Sequence, residues 1–170
     1  MAGKTLKLKL VLGLAWMLGL AAPVWAEAPA AVLGQNDLPI HDAARIGARA
    51  DVERLLKANP AHREARTALG WTPLHLAATN PDPGPLQALL AAGAEVGARD
   101  AEGATPLHLA AYANKVEHSR LLLHAGADVN IKTHSGRDVL SLARKMRADE
   151  TAGVISLWVL KGCKPRQAGC

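Results

Sequence analysis

TPLHLAA occupies residues 72 to 78 and returns, letter for letter, at residues 105 to 111. Two copies of a seven-residue string, starting 33 positions apart, place an internal repeat ahead of every other reading, because a fixed period of roughly 20 to 50 residues is the signature of a stacked array. The register spreads outward from both copies. GWTPLHLAA runs on to LLAAGAEVGARD, and GATPLHLAA runs on to LLLHAGADVNIKT.

The pattern weakens at both ends but persists. Upstream, LPIHDAARIGARADVERLLKANP keeps Pro39, His41, Ala43, Ala44, Gly47, Val52, Leu55 and Leu56; downstream, GRDVLSLARKM keeps Gly136, Leu140, Leu142 and Ala143 but has Val139 and Ser141 where the motif has Pro and His. The spacing predicts four units at 37–69, 70–102, 103–135 and 136–162, with one extra residue at the first junction. Within a unit, Thr72 or Thr105 stands where a helix N-cap belongs and Pro73 or Pro106 fits the first turn, where a missing N–H costs nothing. A second helix ends near Leu89-Leu90 or Leu122-Leu123, and Gly93 or Gly126 supplies the left-handed residue that stops it. One such helix pair cannot bury its own apolar face, whereas four stacked pairs make a continuous core.

These residues resemble the ankyrin-repeat family, in consistent register over residues 37 to about 162. The resemblance implies an all-α solenoid of about four helix-turn-helix repeats with short loop or β-hairpin fingers. It also implies that His75 bonds the Thr72 hydroxyl and His108 that of Thr105, each tied to backbone in the adjoining turn. His41 has Leu38 in place of that threonine, which leaves its partner open.

Targeting precedes fold at the N-terminus. Lys4, Lys7 and Lys9, an apolar run from Leu10 to Ala22 and the small residues around Trp25-Ala26 match a secretory signal cleaved after Ala26, the apolar run being shorter than the roughly 20 residues of a spanning helix. Residues 27–36 read as a linker. Losing those three lysines from 20 basic residues leaves 17 against 15 acidic ones, so the basic pI is partly a property of the leader. That balance gives no case for nucleic acid, and no membrane insertion is expected after cleavage. The expected location is the bacterial periplasm, with secretion as the alternative. Cys163 and Cys170, an even pair in an exported chain, are expected to form a disulfide closing the tail 163–170.

Chemistry-bearing constellations are missing from the sequence. No GxxxxGK loop is present, Ser119, Ser135, Ser141 and Ser156 lie in no nucleophile elbow, and His118 and His124 stand six apart rather than on one helical face. His41, His75 and His108 recur on successive repeats, roughly 8 to 10 Å apart, too far to share a zinc ion. No cofactor, no metal and no catalysis are expected. The resemblance implies a monomeric protein-binding module whose partner docks on the concave side. Carried over by register, its docking residues are Arg45 and Ile46; Trp71, Thr79 and Asn80; Ala101, Glu102, Ala104, Tyr112 and Ala113; and His134, Ser135, Arg137, Lys145 and Met146. Trp71 and Tyr112 are the sharpest of these, since aromatics concentrate at interface hot spots. TNPDPGPLQ, at residues 79–87, departs from the family's tighter turn and reads either as a longer connection or as a recognition edge.

Overall fold

The computed structural model describes residues 37–165 and Gln167. The expected signal peptide 1–26, the linker 27–36 and Cys170 lie outside the described residues. Four helix pairs follow in order: α1 (Pro39–Ile46) with α2 (Arg49–Ala58), α3 (Pro73–Ala77) with α4 (Gly84–Ala91), α5 (Pro106–Tyr112) with α6 (Val116–Ala125), and α7 (Val139–Lys145) with α8 (Asp149–Leu160). A short 3-10 turn at Pro60–Glu64 follows α2. First helices stack on first helices and second on second, α1–α3–α5–α7 and α2–α4–α6–α8, so the core is one slab between two rows. Ile40, Leu74, Leu86, Leu89, Leu107, Leu122, Leu123 and Ile155 fill it without exposure, and alanines such as Ala44, Ala77 and Ala111 let the helices approach closely.

Helix starts and stops follow from named residues. Leu38, Thr72, Thr105 and Asp138 are extended N-cap residues at the four first helices, and Pro39, Pro73 and Pro106 open three of them. Gly93, Gly126 and Gly162 adopt φ of 76°, 104° and 62°. Each sits in a Schellman-type stop, with Ala94 N–H bonding Leu89 O at 3.0 Å, Ala127 N–H bonding Leu122 O at 2.9 Å and Cys163 N–H bonding Trp158 O at 3.1 Å.

The fingers between repeats are turns; no strand forms among the described residues. In the finger of residues 100–104 the Asp100 N–H donates to Ala104 O at 2.9 Å, while Asp100 Oδ1 accepts from the N–H groups of Glu102 and Ala104. Thr67 and Thr133 take the Asp100 position in the other two fingers, and Gly70, Gly103 and Gly136 turn each with φ near 76°. Successive fingertips are joined: Ala101 N–H donates to Leu69 O at 3.1 Å and His134 N–H to Glu102 O at 2.9 Å.

The connection at residues 79–87 is a closed longer turn. Asn80 Oδ1 accepts from Asp82 N–H and Asp82 Oδ1 accepts from Gly84 N–H, which delivers the chain into α4. Repeat 4 replaces the Thr and His of the motif by Asp138 and Ser141: the Ser141 N–H donates to Asp138 Oδ1 at 2.7 Å, and this bond holds the carboxyl below the usual carboxylate range.

Candidate functional site

The motif histidines are bonded inward. His75 Nδ1 lies 2.9 Å from Thr72 Oγ1 and accepts from the Thr72 N–H at 3.1 Å, and its Nε2–H donates to Ala104 O in the next finger at 3.2 Å. His108 repeats the Thr105 contacts at 2.9 and 3.2 Å. At His41 the Leu38 N–H alone supplies Nδ1, at 2.8 Å, and Nε2 reaches Ala65 O at 3.1 Å. The hydroxyl is thus an addition to a bond that any backbone can make. Burial holds the pKa values of His75 and His108 below the usual imidazole range, which favours the neutral ring. All three rings are buried, and among the described residues no group of His, Cys, Asp and Glu is placed to hold a metal ion.

Surface exposure divides the residues carried over by register. Arg45, Thr79, Tyr112 and Lys145 hold one repeat position, and all but half-buried Thr79 are exposed at the ends of the first helices. Arg45 pairs with Asp42 on its own helix. Thr79 Oγ1 donates to Leu76 O at 2.9 Å. Glu102, His134, Ser135 and Arg137 are exposed in the fingers, as is Ala101, and Ala113 is half-buried. Two of the set point into the protein instead. Ala104 is buried, and Asn80 is only 2% exposed. The Asn80 amide donates to Ala44 O at 2.9 Å and Gly47 O at 3.2 Å, which ties repeat 2 to the end of α1 and removes this side chain from any docking surface.

Trp71 is anchored on one edge. Its Nε1–H donates to Asp100 Oδ2 at 3.0 Å, while the ring packs against the core margin. Trp71 also lines a cleft of about 170 Å³ with Arg45, Asp42, Thr67 and Leu69, so two of the sequence-derived residues meet there. Tyr112 is not part of that cleft. Tyr112 as a whole is 54% exposed.

The large exposed apolar side chains fall into two groups. Ile46 (73% exposed), Tyr112 (54%) and Met146 (38%) end or follow first helices, and Leu69 (58%) lies in a finger. Leu157, Val159 and Leu160 form the other group, on α8. Leu69 is absent from the register-derived set although its equivalents Glu102 and Ser135 are in it, so the same register could have found it. None of the described helices is long and apolar enough to cross a membrane.

Comparison with known families agrees with this geometry. The model for ankyrin repeats, in three copies, matches residues 40–133. Helices α7 and α8 lie beyond that match and continue the stack. No curated protein matches the chain.

Proposed function

Because the chain belongs to the ankyrin-repeat family, whose members are protein-interaction modules, we propose that it is a non-catalytic module that binds a protein of the bacterial cell envelope through the side carrying its fingers and first-helix ends. The observation that carries this reading is the apolar group Ile46, Leu69, Tyr112 and Met146, exposed in repeats 1, 3 and 4. Exposed apolar residues grouped on one side and rimmed by charge mark interaction surfaces, and Arg45, Glu102, Arg137 and Lys145 supply that rim. The leader-like residues 1–26 support export as the route to the envelope.

The test replaces Ile46 and Tyr112 by Ser, both exposed, so that folding is preserved, and compares capture of proteins cross-linked in the envelope. Loss of one specific cross-linked species in the double variant, with the helical signal intact, supports the reading. Unchanged capture rejects this face. Recovery of the protein in the medium in place of the periplasm would shift the reading to a secreted effector acting on a neighbouring cell.

A further inference from the structure

The docking side is not evenly charged. Among the described residues every ion pair lies in repeat 1: Arg45 with Asp42, Arg49 with Glu53, Arg54 with Asp51 and Arg63 with Glu64. Helix α7 and the finger ahead of it hold their cations in another way. Lys132, Arg137, Arg144, Lys145 and Arg147 are all exposed, and Asp138 is the one acid among them. Asp138 takes the Ser141 N–H and lies in the field of Lys132. The other four side chains have no hydrogen bond and no ion pair among the described residues, and Asp149 and Glu150 at the start of α8 pair with none of them.

Arg147 stands apart by its backbone. Its φ is 55°, left-handed, and it closes α7 as a glycine would: the Arg147 N–H donates to Arg144 O at 3.1 Å and the Ala148 N–H to Ala143 O at 2.9 Å. An L side chain is strained in that conformation, and Gly93, Gly126 and Gly162 hold the stops of three second helices. Asn114 holds the matching place after α5, at φ 51°, and its Oδ1 accepts from the Thr151 hydroxyl at 3.0 Å. Asparagine tolerates the left-handed region and is used there for a bond. Arginine has neither advantage at residue 147. Arg144 and Lys145 already supply the positive charge that suits the last turn of α7. Strain kept at a side chain that bonds nothing in the fold points outward, to a ligand.

The exposure of Lys145 and Arg147 belongs to their place within a repeat. Their equivalents 33 residues earlier, Tyr112 and Asn114, are exposed as well, although repeat 4 is stacked beside them. Arg137 and Arg144 replace Ala104 and Ala111, which are buried in repeat 3. Two guanidiniums therefore stand where alanine would pack, and neither can be taken out of water without an acid to meet it.

We propose, resting on the protein-binding reading above, that this cationic end of the docking side receives an acidic segment of the protein partner, its carboxylates set against Lys145 and Arg147. Met146, 38% exposed, lies between the two cations, so the segment carries an apolar side chain beside its acids. The neighbouring fingertip presents exposed Glu102, joined to His134 through its carbonyl. A uniformly anionic bilayer or nucleic acid would have to meet that carboxylate as well, whereas a protein segment can end before it. Opposite charges across such a contact speed encounter and fix which end of the partner lies on repeat 4.

The probe is a fluorescein-labelled oligoglutamate of about ten residues, followed by anisotropy against the purified chain in about 50 mM salt, where screening is weaker than in the cell. Lys145→Glu with Arg147→Glu is expected to weaken binding by about tenfold or more. Arg49→Glu with Arg54→Glu, the same change among the paired cations of α2, shifts it by less than about threefold. Arg147→Asn weakens binding by about threefold and raises the melting temperature by about 2 to 4 °C, because the strain is relieved. Ile46→Ser with Tyr112→Ser changes no charge and leaves peptide affinity as it was, so failure of the apolar group in envelope capture and failure of the cations in peptide binding are read separately. A parent chain that does not bind the peptide, equal losses at the two ends, or a melting temperature that falls in Arg147→Asn overturns the proposal. So does a parent chain that binds phosphatidylglycerol vesicles or duplex DNA through Lys145 and Arg147 and leaves the peptide alone, since the cations then belong to another class of partner.

Discussion

His75 Nδ1 accepts from the Thr72 N–H at 3.1 Å while the Thr72 hydroxyl stands 2.9 Å from the same atom, so one ring nitrogen closes the first turn of α3. The opposite nitrogen reaches Ala104 O and ties that turn to the next repeat. Thr72→Ala removes one of these contacts and leaves the backbone bond that Leu38 shows to be sufficient at His41. It is expected to cost about 1 kcal/mol. His75→Ala removes every one of them, strands a buried N–H and a carbonyl, and opens a cavity, for about 3 kcal/mol. Urea unfolding of both variants measures the two values; equal costs would mean that the hydroxyl, and not the ring, carries the tie.

Acidification weakens the fold through the same rings. Burial lowers the pKa values of His75, His108 and His118 from the usual 6.5. With folded values below the unfolded one, the unfolded chain takes up protons first. Stability is fully present above about pH 6.5 and is lost as pH falls from there through the depressed folded values. Melting temperature is expected to drop between pH 7.5 and pH 5.5. A flat or rising profile would show that the rings accept protons where they stand.

Asn80 is a structural tie across the first junction. Asn80→Ala leaves the buried carbonyl of Ala44 and the half-buried one of Gly47 without their donor and undoes the turn at Asp82, at an expected cost of about 2 to 3 kcal/mol. Asn80→Asp keeps the acceptor for the Asp82 N–H but still loses the donor. If unfolding experiments place either variant within about 0.5 kcal/mol of the parent, the range of ordinary surface changes, the tie is unimportant.

The tail carries an expectation that mass spectrometry decides. Under the export proposed above, alkylation of the chain without reductant is expected to leave Cys163 and Cys170 unmodified, because an even pair in an oxidising compartment forms a disulfide. Two alkylated cysteines would exclude the bridge.

How much of this was legible in the sequence varies with what a residue's position depends on. The repeat, the helix starts at Pro73 and Pro106 and the stops at Gly93 and Gly126 each follow from local chemistry that a few adjacent letters specify. The fold was readable for that reason. The partner of His41 was not, because it is a backbone N–H that every residue carries and no side chain announces. Asn80 misled register reasoning: the prolines after it and its own bond to the Asp82 N–H rebuild the turn locally, and an asparagine at the position held by exposed Ile46 and Met146 folds inward. Tyr112 stayed outside, as its place at the end of α5 implies. Trp71 is intermediate, since its hydrogen bond to Asp100 spans 29 residues and depends on a finger whose shape the letters alone do not show.

The joined fingers have a consequence for how the protein comes apart. Arg66 donates to Arg99 O at 2.7 Å and Arg99 to Lys132 O at 2.7 Å, the same step taken twice, and the fingertip bonds Ala101 to Leu69 and His134 to Glu102 keep the same stride. Each of these bonds links a repeat only to its immediate neighbour. Strain or heat applied at one end therefore meets a series of similar joints in turn, and amide exchange should be slowest around Leu74 and Leu107 and fastest at the two extremities.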